Sequence, residues 1–158
     1  MVVFERATIA DAAALTAVQI AAFEHDAVLY PGIEPGGPPG YDSVADMRQR
    51  IEQAETYKMV LDGRCIGGLV VFDMGLQHYH LGVIFIDPAC HNRGIGTQAM
   101  RFIEQTFPAA RWTLDTPQWA TRNHHFYEKL GYVRTGEIHI EGDDTLLYAY
   151  EKRIASGP

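Results

Sequence analysis

Apolar and polar positions alternate with two different periods along the chain, and the changes of period mark the predicted elements. Alternating or continuous apolar runs predict strands, and apolar residues spaced three and four apart predict helices. The predicted strands cover residues 2–4, 57–61, 65–72, 79–86, 111–114, 133–140 and 145–151. The predicted helices cover residues 8–22, 43–54, 97–107 and 122–130. This order, β-α-α-β-β-β-α-β-α-β-β, predicts an α/β chain with mixed strand pairing.

Short motifs indicate where these elements begin and end. Thr8 and Ser43 are each followed three positions later by an aspartate, which is a capping box that starts a helix. Gly131 stands where the last helix should end. Asp62-Gly63 predicts a tight hairpin turn, and Gly142-Asp143-Asp144 predicts the turn of the final hairpin.

A segment rich in proline and glycine separates the first two predicted helices. Residues 30–41 contain four prolines and four glycines, which exclude regular structure. A linker between two domains is disfavoured, because about 30 residues are too few for a domain of their own. We therefore expect this loop to be a lid or a binding element.

Size and composition predict one domain spanning 1–158 with a proper core, since 47% of the 158 residues are hydrophobic. The apolar runs are far shorter than the roughly 20 residues that cross a bilayer, and the N-terminus lacks the pattern of a signal peptide. Two cysteines, Cys65 and Cys90, imply no disulfide framework. We expect a cytoplasmic protein that does not bind membranes. The net charge of −7 argues against nucleic-acid binding, and it is compatible with a cationic substrate or simply with solubility.

The run His91-Asn92-Arg93-Gly94-Ile95-Gly96 is the most informative stretch of the sequence. It follows a predicted buried strand and opens a predicted helix. The first N–H groups of a helix have no partner within it, and the helix dipole adds partial positive charge there. Glycine allows close approach of a ligand to the backbone. The turn therefore predicts a pyrophosphate site.

This arrangement resembles the GCN5-related N-acetyltransferases, the GNAT superfamily, whose turn signature is Gln/Arg-x-x-Gly-x-Gly/Ala. Both glycines match, and His91 stands where the family has Gln or Arg. A second segment, Asn123 followed by Phe126-Tyr127-Glu128-Lys129-Leu130-Gly131-Tyr132, is similar to another family signature. The resemblance covers nearly the whole chain. It implies a mixed, mostly antiparallel twisted sheet of about seven strands flanked by four helices.

The implied co-substrate is acetyl-coenzyme A (acetyl-CoA) or a related acyl-CoA. By resemblance its pantetheine arm adds to the fourth strand like an extra strand, and its pyrophosphate lies on the glycine turn. A strand N–H would polarise the thioester carbonyl, and Asn123 would bond the pantetheine arm. The expected cofactor-binding residues are Ile84, Phe85, Ile86, His91, Asn92, Arg93, Gly94, Ile95, Gly96, Thr97 and Asn123.

Acetyl transfer to an amine needs a base for the ammonium and benefits from a proton for the departing thiolate. Tyr127 matches the family tyrosine to which the acid role is commonly assigned; the alternative is a core aromatic. The position of the family's strand glutamate falls on His80, and an imidazole that titrates near neutral pH suits a base. A packing role for His80 is equally compatible with the sequence. Glu24, His25 and Asp73 are further candidate bases.

Other interpretations remain open at this stage. His78 and His80 form a His-x-His pair that could bind a metal, but no glutamate follows at cupin spacing, so we expect no metal site. The chain could also be a non-catalytic acyl-CoA-binding sensor, or could use a longer acyl donor. The acceptor, a small-molecule amine or a peptide, is not specified by the sequence. Members of this family often form dimers, so a homodimer is an option. Aromatic side chains that could form acceptor-pocket walls are Tyr30, Tyr41, Phe72, Tyr79 and Trp119.

Overall fold

The computed structural model describes residues 1–140, 142 and 144–155. The strands are β1 (Val3–Arg6), β2 (Glu55–Leu61), β3 (Arg64–Asp73), β4 (His78–Ile86), β5 (Arg111–Pro117), β6 (Val133–His139) and β7 (Leu146–Arg153). The helices are α1 (Ala12–Glu24), the single turn α2 (Asp26–Leu29), α3 (Val44–Gln53), α4 (Ile95–Thr106) and α5 (Thr121–Lys129). The predicted seven-stranded mixed sheet with four longer helices is confirmed.

The strands form one sheet in the order β1-β2-β3-β4-β5-β7-β6. Neighbouring strands are antiparallel except β4 and β5, which are parallel and are connected through α4. The Asp62-Gly63 turn has positive φ at both residues, as a two-residue hairpin with the right twist requires. Of the final hairpin turn, Asp143 lies outside the described residues, as does Glu141 before it.

Local motifs set the helix starts close to their predicted positions. The amide of Asp46 donates to the Ser43 hydroxyl at 3.1 Å and caps α3. The Thr8 amide donates to the Asp11 carboxylate at 2.8 Å, and a short 3-10 turn there leads into α1. The single-turn helix α2 was not expected from the sequence, because four residues carry too little periodicity to be recognised.

Helices cover both faces of the sheet. Leu15 of α1 and Met47 of α3 pack on one face against Val70 and Phe85. On the opposite face, α4 and α5 pack over a larger cluster of buried residues. That cluster contains Ile66, Leu69, Leu81, Ile95, Ile103, Trp112, Leu114 and Tyr127. Among the described residues, no helix is both long and apolar enough to cross a membrane.

A bulge in β4 determines where the site lies. Val83 pairs with Val70 and Leu81 pairs with Val71, so Gly82 is an extra residue in β4. A Cβ atom at position 82 would overlap the ring of Phe72, so only glycine fits without repacking. The bulge also changes the phase of the strand: Leu81 faces the α4 side, whereas Val83 faces the α1 side.

Beyond the bulge, β4 and β5 separate. Their parallel pairing extends only from His78 with Arg111 to Leu81 with Leu114. Within the described part of the chain, the edge of residues 82–86 that faces β5 is therefore paired with no strand. This leaves backbone donors and acceptors available in a wedge between the two strands.

Candidate active site

A cavity of about 400 Å³ lies in the wedge between β4 and the N-terminus of α5. It is bordered by the unpaired end of β4, the glycine turn, α5 and the α1–α2 corner. Eleven residues expected from the sequence line it: Ile84, Phe85, Ile86, His91, Asn92, Gly94, Ile95, Gly96, Thr97, Asn123 and Tyr127. Two expected residues, Arg93 and His80, are not among the lining residues. We call this space the donor cavity.

The glycine turn presents backbone N–H groups to the donor cavity. Gly94 adopts a left-handed conformation with φ +74°, which favours glycine, and α4 begins directly after it. The first hydrogen bond of the helix runs from the Gln98 amide to the Gly94 carbonyl at 3.1 Å. The N–H groups of Ile95, Gly96 and Thr97 precede that bond, so they can bind an anion together with the helix dipole.

The imidazole of His91 is held by the backbone. Its Nε2 lies 3.0 Å from the Ile86 carbonyl oxygen, which can only accept, so Nε2 carries the proton. Nδ1 of the neutral ring is then an acceptor. Donation from His91 to a phosphate would therefore require the imidazolium, unlike donation from the glutamine or arginine at this position in the family signature.

A cation that sequence reasoning missed lines the donor cavity. Arg122, the second residue of α5, is among its lining residues, whereas Arg93 in the turn is not, although both residues are exposed. The Arg122 amide donates to the Tyr30 hydroxyl at 3.1 Å, which fixes the loop to the start of α5. In the sequence, the only indication of a role for Arg122 is its position next to Asn123, at the start of the second family segment.

A second cavity, of about 440 Å³, lies on the other side of the wedge. The proline- and glycine-rich loop forms one wall through residues 33–34 and 36–39, and β4, β5 and the β6–β7 end form the others. Three carboxylate residues, Asp26, Glu34 and Asp115, line it together with apolar groups such as Leu81 and Trp119. Its described lining contains no lysine or arginine. We call this space the acceptor cavity.

The two cavities share part of one wall. The residues that line both are Phe23, Asp26, Ile84, Asn123 and Tyr127. Ile84 is on the unpaired edge of β4, and Asn123 and Tyr127 are one turn apart on α5. This shared wall is where a group bound in one cavity would meet a group bound in the other.

Tyr127 is the most buried polar group of the shared wall, with 7% of its surface exposed. Burial raises the pKa of its phenol well above the usual range, so the phenol stays protonated at neutral pH. Asn123 donates from Nδ2 to the Thr116 hydroxyl at 3.1 Å, which fixes its amide orientation. The same hydrogen bond also fixes the direction of the Asn123 side-chain oxygen.

His80 lies in a hydrogen-bonded chain between β4 and β5. Arg111, which can only donate, lies 3.0 Å from Nδ1 of His78, so His78 carries its proton on Nε2. That Nε2 lies 2.7 Å from the Thr113 hydroxyl, which in turn lies 2.7 Å from Nδ1 of His80. The hydroxyl therefore accepts from His78 and donates to His80, and His80 carries its proton on Nε2.

The protonation of these histidines follows from burial. Desolvation lowers the pKa of His80, opposed by the Asp115 carboxylate, whose Oδ2 lies 3.8 Å from Nε2. Desolvation also lowers the pKa of His78, helped by Arg111 and His80. Burial raises the pKa of Asp115 above its usual value, and His80 opposes part of this shift.

In the described residues, no group of three His, Cys, Asp or Glu side chains is arranged to hold a metal ion.

Replacing Thr113 by Val should destabilise the fold, because both imidazoles would lose their shared partner between β4 and β5. We expect the free energy of unfolding to fall by about 1–2 kcal/mol in urea titration at pH 7.5. Thr135→Val on exposed β6 is the matched control and should change it little, since the Thr135 hydroxyl makes only a 3.4 Å contact. Equal losses of unfolding free energy in the two variants would show that the hydrogen bonds of Thr113 with His78 and His80 contribute nothing to stability.

The other sequence candidates are distributed over several sites. Tyr30 lines the donor cavity and Trp119 the acceptor cavity, with their rings 5.2 Å apart. Tyr41 donates to Glu24 at 3.1 Å, and neither lines a cavity. Tyr79 packs on Trp112 in the core. The remaining candidates line neither cavity. Phe72 packs on the α1 side, Asp73 accepts from the Gly75 amide, and the His25 ring packs edge-on against His91 with the ring centroids 5.7 Å apart.

Comparisons with known proteins identify the class of this fold. Residues 21–132 match the model of the Acetyltransferase (GNAT) family. The chain therefore belongs to the GNAT acetyltransferase family. It is 34% identical over 76 residues to the uncharacterized protein YrkN of Bacillus subtilis (strain 168). That match covers 47% of this chain and 41% of YrkN, less than half of the relative's length.

Solved structures show the same fold at low sequence identity. The ribosomal-protein-S18-alanine N-acetyltransferase from Escherichia coli superposes with a TM-score of 0.75 at 13% identity, over 100% of this chain and 97% of that one. The PaiA N-acetyltransferase from Thermoplasma acidophilum, solved in complex with coenzyme A, superposes with a TM-score of 0.71 at 16% identity, over 98% and 99%.

Proposed function

We propose that this chain transfers an acetyl group from acetyl-CoA to a primary amine of a small molecule or peptide, by direct attack of the amine on the thioester. The observation that supports it best is the shared wall of the two cavities. One cavity has an anion-binding turn and an unpaired strand edge, and the other has carboxylates and apolar walls. A thioester and an amine held from opposite sides would meet there, and such positioning supplies much of the rate of acyl transfer.

The co-substrate is acetyl-CoA. Family membership and the coenzyme A complex of the Thermoplasma acidophilum neighbour support this assignment. In the proposed complex, the pyrophosphate lies on residues 94–97 beside His91, Asn92 and Arg93. The pantetheine arm runs along the free edge of Ile84, Phe85 and Ile86, and Asn123 bonds to it.

Tyr127 is the proposed acid that protonates the departing thiolate. Its position on the shared wall and its raised pKa, which keeps the phenol protonated, support this role. His80 stays a prediction as the base. Its ring is beside Asp115 but is not among the lining residues of either cavity.

The function is tested by measuring CoA release from acetyl-CoA with a thiol reagent, across a panel of amines, amino acids and peptides. We expect at least one primary amine to give a rate well above the blank without acceptor. If no acceptor of the panel raises CoA release above the blank while calorimetry still shows acetyl-CoA binding, the proposal is contradicted. That result would favour a non-catalytic acyl-CoA-binding protein or a longer acyl donor.

A further inference from the structure

One carboxylate among the described residues lines both cavities, and it is Asp26. It is the first residue of the single-turn helix α2, at the corner where α1 ends. The other two carboxylate residues of the acceptor cavity, Glu34 and Asp115, do not line the donor cavity. Asp26 therefore lines both cavities together with Tyr127, Asn123 and Ile84.

The Asp26 carboxylate makes no hydrogen bond and no ion pair with the described residues. Burial without such a partner raises the pKa of Asp26 to about 6, and the neighbouring His25 opposes the shift. The other titratable or charged groups that line the same two cavities are Tyr30, Glu34, Cys90, His91, Asp115, Arg122 and Tyr127. A half-buried carboxylate left unpaired costs folding stability, and such groups are found where a site uses them.

We propose that Asp26 is the base that takes the proton from the acceptor ammonium, an inference that rests on the acetyltransferase function proposed above. The carboxylate borders the space where amine and thioester would meet, so it can reach the ammonium directly or through one water. As a carboxylate it also attracts the ammonium before it accepts the proton. Asp26 was not among the residues that the sequence indicated.

The hydrogen-bond chain between β4 and β5 argues against His80 in this role. Nδ1, the nitrogen of neutral His80 that carries no proton, already accepts from the Thr113 hydroxyl. To take a proton at Nδ1, His80 would have to give up that hydrogen bond as an acceptor, whereas the Asp26 carboxylate has no such bond to give up. His80 also lines neither cavity.

In the proposed step, Asp26 takes one proton from the ammonium and releases it to solvent after the reaction. The free amine nitrogen forms a bond to the thioester carbon, and the carbon–sulfur bond breaks with its electron pair on sulfur. The thiolate takes the phenolic proton of Tyr127, and the second proton lost by nitrogen restores the phenol. The products are the amide, CoA with a free thiol, and one proton.

The test compares two nucleophiles in the wild-type protein and in Asp26→Asn. One is the alkylamine of the panel with the highest wild-type rate, which is an ammonium at pH 7.5. The other is hydroxylamine, which is largely unprotonated at that pH and needs no base. We expect Asp26→Asn to lower kcat/KM for the alkylamine by about 100-fold or more, and the rate with hydroxylamine by less than about threefold, because only the alkylamine needs the base.

The pH profile gives a second readout. Wild-type kcat/KM for the alkylamine should fall as the pH drops through about 6, where Asp26 becomes protonated. This acid limb should be absent in Asp26→Asn and present in His80→Gln. Asp26→Glu should restore part of the rate. Asp42→Asn, an exposed aspartate outside both cavities, is the matched control and should behave like the wild type.

Each outcome is decisive. If Asp26→Asn keeps the alkylamine rate, or if only His80→Gln removes the acid limb, Asp26 is not the base. If Asp26→Asn loses activity with both nucleophiles and also binds acetyl-CoA more weakly, the role of Asp26 is in binding, and the proposal is overturned. If the wild type acetylates neither nucleophile, the acetyltransferase function itself fails.

The melting temperature of Asp26→Asn distinguishes a loss of catalysis from a loss of folded protein. The raised pKa means that the folded state prefers protonated Asp26, so the charged carboxylate weakens the fold above about pH 6 and this penalty disappears as the pH falls. Asp26→Asn should therefore keep or raise the melting temperature at pH 8. A lower melting temperature would show that Asp26 stabilises the structure instead.

Discussion

Replacing Tyr127 by Phe should lower kcat by about 100- to 10,000-fold, the range that a positioned general acid or base supplies. The ring and its packing are kept, and only the phenolic proton is lost. Calorimetry should give an unchanged Kd for acetyl-CoA, because the pyrophosphate turn and the strand edge are untouched. The variable measured is CoA release at saturating acetyl-CoA with the best acceptor of the panel.

Tyr132→Phe is the matched control for that experiment. Tyr132 is also buried, with 2% of its surface exposed, but it lines neither the donor nor the acceptor cavity. Its hydroxyl is buried without a hydrogen-bond partner among the described residues, so removing it should cost little stability. A kcat in Tyr127→Phe equal to that of Tyr132→Phe would remove Tyr127 from the mechanism.

Replacing Gly94 by Val should weaken acetyl-CoA binding by at least about tenfold, which corresponds to about 1.4 kcal/mol. Gly94 has φ +74°, and a branched side chain strains that conformation. Relief of the strain would turn the N–H groups of Ile95 and Gly96 away from the donor cavity. The Kd is measured by calorimetry with acetyl-CoA alone.

Gly63→Val separates this loss of affinity from loss of stability. Gly63 has φ +75° in the β2–β3 hairpin, and a Cβ atom at either glycine would meet open space. Both variants should therefore lose a similar amount of stability, on the order of 1–2 kcal/mol. Only Gly94→Val should lose affinity. If Gly63→Val weakens acetyl-CoA binding as much, the turn has no special role.

The elements were predictable where the signal was local. The capping residue Ser43, the Asp62-Gly63 turn and the glycine pair at 94 and 96 act within a few residues, so the sequence places them well. β5 is longer than predicted, since Asp115 and Pro117 break the apolar pattern but stay paired with β7. The single turn α2 was missed, and with it Asp26.

The donor side of the site was predictable for a similar reason. Residues 84–97 form one continuous segment, so the strand edge and the turn are close in space whatever the rest of the chain does. Arg122 and Tyr30 were not predicted as donor-side residues, because they approach from two distant segments that meet through a single hydrogen bond at 3.1 Å. Of the five aromatic candidates, Trp119 is the one that lines the acceptor cavity.

The sequence by itself determined the strand–turn–helix unit and the family, because those depend on glycines and apolar periods at fixed short spacings. Only the tertiary structure decided which acidic or basic side chains face the reaction space. Asp26 and His80 are 54 positions apart in the sequence, and nothing local distinguishes a carboxylate on a cavity wall from one in solvent. The bulge at Gly82 and the separation of β4 from β5 make that distinction, since they open the wedge that leaves Asp26 facing both cavities and His80 bonded between strands.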